Sequence, residues 1–406
     1  MGWWRGVGPR VPFAGRGRRR LTLAATGMLV AASVGTVMAG PAGSAATFVN
    51  WPEYLYGPSH SSDSPATTIT PANAANLKRL WNWRCPGPTV AGQPSSGFVA
   101  SPTVYDGTIY IGCNTGVFYA ISETTPTVLW SQQLGYESHH TCAARGISST
   151  AAVAVMPSTG ELTVYVAGGD GDLFALDAAT GSIDWQSVIA TPSPTQNNYY
   201  DWSSPTVANG LVYVGVSSQC DAPLVADSGL KAYDMSSGAL EATFLTMPAN
   251  EIGGSIWSSA AADSTGVFVD TGNNLPGTPA GESSSMIGLT TTALTQTGSW
   301  AIPGAQQVED NDWAASPTLF TATLSGVPTE MVTACNKNGF LYAMKTSDVS
   351  AGPVWTFQVG AGTPNGVQSC LGAAIWTGQY LLEPGNATTI NGTPYAGSLR
   401  ELNPAT

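Results

Sequence analysis

One phrase returns along this chain at near-constant spacing, and a repeat constrains folding more tightly than any single residue. It is clearest as "DGDLFALDAATGSIDW" at residues 170–185. Versions stand at 114–130 ("NTGVFYAISETTPTVLW"), 228–244 ("SGLKAYDMSSGALEATF") and 338–355 ("NGFLYAMKTSDVSAGPVW"), with a weaker one at 284–300. The chain stops within a sixth, "YAGSLRELNPAT". From Ala120 through Ala175, Ala232, Gly288 and Ala343 to Glu401 the steps are 55, 57, 56, 55 and 58 residues. A period of that size marks one supersecondary unit used repeatedly.

Inside each unit the pattern is β. "ASPTVYDG", "TIYIG", "GVFYAI" and "TVLW" follow one another in the first, and later units repeat the order. Alternation with turn residues between runs predicts four short strands per unit and no long amphipathic helix. Four-stranded sheets repeated radially make a β-propeller, so the expected class is all-β. A solenoid of strands is the competitor, but its coils are shorter. The phrase is then the third strand, a turn and the outermost strand of a blade. Six blades are expected, at about 98–135, 146–190, 202–247, 255–303, 313–360 and 370–406. The last lacks a fourth strand. Residues 77–85, "LKRLWNWRC", resemble an orphan fourth strand, and pairing the two would close the ring and remove both open edges.

Only 10% of the 406 residues are charged, with 43% hydrophobic and 13 Trp, which is no disorder signature. The formal charge is −12, yet the first twenty residues hold six Arg and no acid. Beyond them remain 8 basic and 26 acidic residues, which argues against a nucleic-acid partner. "RGRRR" followed by an apolar small-residue stretch to Ala39 and "AGSAA" at 42–46 reads as an export signal over 1–46, compatible with the twin-arginine type. The propeller domain follows at 47–406, secreted or periplasmic. No later apolar run reaches membrane-spanning length. Six cysteines, an even number, suit an oxidising compartment. No CxxC or CxxCH occurs, which removes c-type haem and zinc-ribbon readings.

With strands A to D counted outward from the axis, all six cysteines fall on one face, in D-to-A or B-to-C connections. The pairs expected between neighbouring connections are Cys85–Cys113, Cys142–Cys220 and Cys335–Cys370, because a bridge needs Cα atoms within about 7 Å. The long loops at 136–146 and 217–229 lie on that face, where function concentrates. So do Arg145, Trp257, Asn273, Asp310, Asp312 and Lys337, each near the inner end of a strand. Ion pairing with loop acids is the plainer reading of the two cations.

The same residues carry a likeness. The repeat resembles that of pyrroloquinoline quinone (PQQ) enzyme propellers, and residues 51–83 look like the opening of quinoprotein alcohol and polyvinyl-alcohol dehydrogenases. Propellers of outer-membrane assembly, which catalyse nothing, share the repeat. "GGSIWSSAAADSTGVFVDTGNN" at 253–274 is similar to the segment whose Trp stacks on the quinone and whose Asn binds calcium; the resemblance implies Trp257 and Asn273. "EDNDWAASPTLF" resembles the segment of the catalytic aspartate, here Asp312, and "NKNGFLYAM" that of the basic residue touching the quinone carbonyls, here Lys337. "HHTCAARGIS" resembles the segment of an adjacent Cys pair and an Arg. Arg145 matches, while His139 and His140 replace the Cys pair. The family's Glu before the first "SP" is absent, and Asp221 is a shifted substitute for the calcium-binding Glu. The familiar dehydrogenases have eight blades.

Two functions from different classes follow. One is an exported quinoprotein-like dehydrogenase that oxidises a small or polymeric alcohol with PQQ and calcium and passes electrons to a separate acceptor. Asp312 is then the base, with Trp257, Lys337 and Arg145 on the quinone and Asn273 and Asp221 on the metal. The other is a non-catalytic propeller binding a protein or cell-wall ligand. A hydrolase using Asp310 and Asp312 is disfavoured, since carboxylates at i and i+2 need not converge.

Overall fold

The computed structural model describes residues 48–87, 96–136, 145–191, 199–200, 202–218, 228–249, 251–274, 281–362 and 370–406. The expected export signal, and with it the 1–46 boundary, lies outside them. Six antiparallel sheets follow in chain order, and helix is confined to short 3-10 turns among the described residues. The first sheet runs Thr103–Tyr105, Thr108–Gly112, Val117–Ser122, Val128–Gln133. Four more repeat that order, and the third carries an extra two-residue strand, Tyr199–Tyr200. The sixth has three strands, Ile375–Trp376, Leu381–Ile390 and Thr393–Leu402. The expected blades are therefore present.

Burial follows the position of each strand in its blade. Third strands such as Asp172–Asp177 are buried through four central residues, whereas outer strands such as Ile183–Val188 alternate exposed with half-buried. The hydrophobic clusters lie between successive blades. Val153, Val164 and Leu176 of blade two meet Tyr110, Phe118 and Ala120 of blade one, and Leu381 and Leu402 of blade six meet Phe320 and Leu341 of blade five.

The recurring phrase gains its physical reason here. Trp130 of blade one donates Nε1–H to the Ala178 carbonyl of blade two at 2.9 Å, and Trp185 repeats this on Met235 of blade three at 3.2 Å. Each indole lies over the next blade's outer turn. Gly181 in that turn has φ +75°, and a Cβ there would stand 2.4 Å from the Trp130 ring. Only glycine meets both conditions. The Trp of one repeat and the Gly of the next are one contact.

Residues 51–61 tie the ring together. Trp51 pairs with Val104 of blade one, and the Pro52 carbonyl accepts from Val153 N of blade two. Glu53 Oε2 accepts from Val207 N of blade three. Pro58, Ser59 and Ser61 carbonyls accept from Ala262, Leu319 and Trp376 in blades four, five and six. One strap, broken by the 3-10 turn Tyr54–Tyr56, thus visits every inner strand in order, at the end remote from the candidate face.

The expected ring closure is not formed. Residues 77–85 adopt no strand and pair with nothing in blade six, and Leu77 and Leu80 are 64% and 88% exposed. Contacts with blade one hold the segment instead. Trp81 Nε1 donates to the Glu123 carbonyl at 3.1 Å, Trp83 packs edge-on against Tyr119, and Cys85 is bridged to Cys113. Glu123 follows the third strand of blade one as Ala178 follows that of blade two. Trp81 therefore docks as the blade tryptophans do, while its own strand partner is lacking. Cys335–Cys370 is the second bridge, and the expected Cys142–Cys220 pair lies outside the described residues.

Candidate functional site

Successive inner strands are stitched by hydroxyls. Backbone N–H groups of Ser101, Thr150, Ser204 and Ser259 donate to the hydroxyls of Thr150, Ser204, Ser259 and Ser316, each one blade on, at 2.9–3.0 Å. This register brings Ser148, Trp202, Trp257, Ala314 and Leu371 to one level around the axis, two residues before the hydroxyl level. Together with Tyr54 from the strap they line a cavity of about 250 Å³. At roughly 3.3 Å per residue, the indole level stands above the hydroxyls and the strap below them.

Above the indoles the candidate residues converge. Lys337 Nζ lies 2.5 Å from Asp312 Oδ2, 2.9 Å from both Asp310 oxygens, and 5.5 Å from the Trp257 ring centroid. Asn273 donates its backbone N–H to Asp312 Oδ1 at 2.8 Å. Asn336 fixes the loop below, its amide reaching the Asn311 and Asp312 carbonyls at 3.2 and 3.0 Å. Glycine at 272 leaves room for this approach, since a Cβ there would stand 2.8 Å from Asp312 Oδ1. Arg145, from the connection before blade two, stands 5.9 Å over Trp202 of blade three, and its buried Nε has no hydrogen-bond partner among the described residues. Two indoles at equivalent positions of neighbouring blades thus each carry a cation.

Burial pushes the Asp312 carboxyl above the usual carboxylate range, with Lys337 pulling it back. Burial also opposes the charge on Lys337, but Asp312 and Asp310 outweigh it and hold the ammonium above the ordinary lysine value. An ammonium shared by two carboxylates is a strong, desolvated charge-assisted contact.

Of the sequence candidates, Trp257, Asn273, Asp310, Asp312 and Lys337 come together, while Arg145, from the connection before blade two, stands over Trp202 of blade three. His139, His140 and Asp221 lie outside the described residues. Trp202 was missed, although "WSSPT" at 202–206 repeats the "WSSAA" that begins at Trp257. Asp270, fully buried and bonded to Ser258 Oγ, was also missed, as was Tyr54. No short motif marks these two.

The chain is similar to known proteins of one family. The family model described as "PQQ: Glucose/ethanol/alcohol dehydrogenase, beta-propeller domain" matches residues 51–358. The chain is 24% identical over 396 residues to the alcohol dehydrogenase (quinone), dehydrogenase subunit, of Gluconobacter oxydans, covering 86% of this chain and 49% of that protein. It is 23% identical over 346 residues to the quinohemoprotein alcohol dehydrogenase of Comamonas testosteroni, covering 74% and 45%. The chain thus spans about half the length of these curated relatives. Among solved structures, the Comamonas testosteroni enzyme aligns with TM-score 0.60 at 20% identity, covering 76% of this chain and 49% of that one. A europium-containing methanol dehydrogenase aligns with TM-score 0.66 at 15% identity, covering 87% and 73%. These structures speak for the fold.

Proposed function

Because the chain belongs to the glucose/ethanol/alcohol dehydrogenase β-propeller family of PQQ proteins, we propose that it forms the quinone-binding propeller of an alcohol-oxidising enzyme. The observation that carries this reading is the meeting of Lys337 and Asp312, from two connections of blade five, over Trp257 of blade four. The leader at 1–46 directs export, a small or polymeric alcohol is the substrate, and electrons pass to a separate acceptor.

The residues present fit the quinone. Trp257 and Trp202 offer flat apolar faces for a planar ring. Arg145, with its unpartnered Nε, and Lys337 supply positive charge for its carboxylates and carbonyls. When bound, PQQ supplies the acceptor for the two electrons taken from the alcohol. Asp312 takes the hydroxyl proton. Its burial raises its basicity, and the Asn273 N–H and Lys337 keep it aimed. Lys337 also balances the charge at the moment of transfer.

Calcium is a weaker fit. Both Asp312 oxygens already accept from N–H donors, and the described residues hold no cluster of three His, Cys, Asp or Glu able to hold a metal ion. Asn273 and Asp221 remain its candidate ligands, and no step is routed through a metal.

The test is to mix purified protein with micromolar PQQ, with and without calcium, and follow quinone absorbance and tryptophan quenching. Uptake of quinone, dye-linked alcohol oxidation, and loss of oxidation in Asp312→Asn with quinone still bound are expected. Absence of uptake overturns the reading and leaves a propeller that only binds a protein or cell-wall ligand.

A further inference from the structure

The hydroxyls that stitch the inner strands recur at one position of the repeat. They are Ser101, Thr150, Ser204, Ser259 and Ser316 in blades one to five, with Ala373 at that position of blade six. A hydroxyl oxygen that accepts a hydrogen bond still has one proton to give. Where that proton goes separates two levels of the same strands. At the lower level, two residues on, Thr103, Thr206 and Thr318 donate to the Ala151, Ala260 and Ala374 carbonyls of the next blade at 2.6–3.0 Å. At the upper level Thr150 Oγ1, Ser204 Oγ and Ser259 Oγ each accept a backbone N–H from the preceding blade. No acceptor among the described residues takes the protons of these three.

All three line the axial cavity. They come from blades two, three and four, so their protons can be given to one volume from three neighbouring strands. Ser258 Oγ, also on the wall, is bonded to Asp270 and adds no free donor. Val99, Ala314 and Leu371 supply apolar wall, with the Trp202 and Trp257 indoles above and Tyr54 of the strap below. Among the described residues no carboxylate, ammonium or guanidinium lines the cavity, and Asp312, Lys337 and Arg145 stand outside it. At about 250 Å³ it holds far more than one water, which needs roughly 10–15 Å³.

This chemistry selects a class of ligand. An anion would lose its hydration without meeting a cation, which is costly. An alkanol with one hydroxyl suits the indoles but leaves two of the three donors without a partner, and buried donors left unmade also cost free energy. A short polyol meets both demands. Its successive oxygens accept from Thr150, Ser204 and Ser259, and its C–H faces lie on Trp202, Trp257 and Leu371. We infer that the axial cavity is a seat for a small neutral polyol, separate from the groups assigned to alcohol oxidation. The seated molecule is not the one oxidised, because Asp312 does not reach the cavity wall. The seat therefore does not rest on the alcohol-oxidising reading. One occupant bonded to three neighbouring inner strands ties them together and supports both indoles from below.

The experiment uses the cofactor-free full chain, with erythritol, 1-butanol and sodium sulfate as probes, read by ligand-detected NMR and by melting temperature. Saturable erythritol binding is expected, with 1-butanol about tenfold weaker and sulfate unable to displace it. The melting temperature should rise with erythritol. Ala314→Leu fills the cavity from a wall position whose side chain makes no hydrogen bond. It is expected to abolish both the binding and the specific part of that rise, which separates them from the general effect of polyols in bulk solution. Leu371→Phe does the same from blade six should the first variant fail to fold. Ser204→Ala is expected to weaken binding about fivefold, while Ser204→Thr, which keeps the hydroxyl, retains it. Absence of saturable erythritol binding, binding that survives the filling variants, 1-butanol binding as tightly, or displacement by sulfate overturns the inference. Quinone uptake is scored separately: its failure removes the alcohol-oxidising reading and leaves the seat, and failure of erythritol leaves that reading untouched.

Discussion

Lys337 closes on Asp312 at 2.5 Å from a different connection of the same blade, 25 residues further along the chain, with both side chains almost wholly removed from solvent. Such a pair is sensitive to loss of one member. Lys337→Met leaves two carboxylates crowded without a cation, and a stability loss of about 3–5 kcal/mol in urea unfolding is expected. Lys337→Met combined with Asp312→Asn should recover part of it. If the single variant unfolds like the parent, the pair is not formed in solution.

Gly181→Val tests the link between repeats. The new side chain meets strained backbone at φ +75° and the Trp130 ring together. A loss of ~2–4 kcal/mol and a shift of tryptophan emission are expected. Gly160→Val, also at φ +75° but with no atom near its Cβ, is the control and should cost less.

Stability should fall as pH rises from neutral. Burial lifts Glu53 and Asp270 to about 8, so in the folded chain both keep protons that the unfolded chain has released. Their contribution is complete below about pH 4 and is lost as pH climbs through 8. Burial lowers His60 to about 4, and its contribution runs the other way, complete above 6.5 and lost as pH falls toward 4. Between pH 6.5 and 8 His60 no longer contributes a change, and the other raised carboxyls, Asp312 and Glu383, act in the same direction as Glu53 and Asp270, so the melting temperature is expected to drop there, with Glu53→Gln flattening the slope. A melting temperature that rises across this window contradicts the assignment.

Glu383 offers a gain. It stands where blade two has Val166 and blade five has Ala334, fully buried with neither oxygen bonded among the described residues. Burial raises its carboxyl well above the usual range. Glu383→Val should stabilise the chain by ~1–3 kcal/mol at pH 8 and by less at pH 5. Destabilisation at pH 8 would show that the carboxyl has a partner.

The cysteines outside the described residues are expected to follow the two bridges seen. Peptide mapping without reductant should return Cys142–Cys220 beside Cys85–Cys113 and Cys335–Cys370. A free thiol at either position counts against the blade assignment.

The six blades and their strand order were legible in the sequence because they are local. A 56-residue unit carries its own alternation, its turn glycine and its docking tryptophan. The partners at the site were legible only as separate residues. Asp312, Lys337, Trp257 and Asn273 share a face by strand counting, but that the ammonium sits between Asp310 and Asp312 was decided by the packing of loops from blades four and five. Trp202 could have been found by laying one repeat on the next. Asp270, Tyr54 and the strap could not. A carboxyl ending a strand looks like any other until neighbouring blades bury it, and residues 51–61 take their path from six inner strands, the last of them reached at Trp376. The closing strand failed for the same reason. Residues 77–85 have the composition of a fourth strand, and Trp81 takes the seat on Glu123 of blade one that such a strand's tryptophan takes, but their backbone forms no strand and pairs with nothing in blade six, because strand composition does not fix a pairing partner some three hundred residues away.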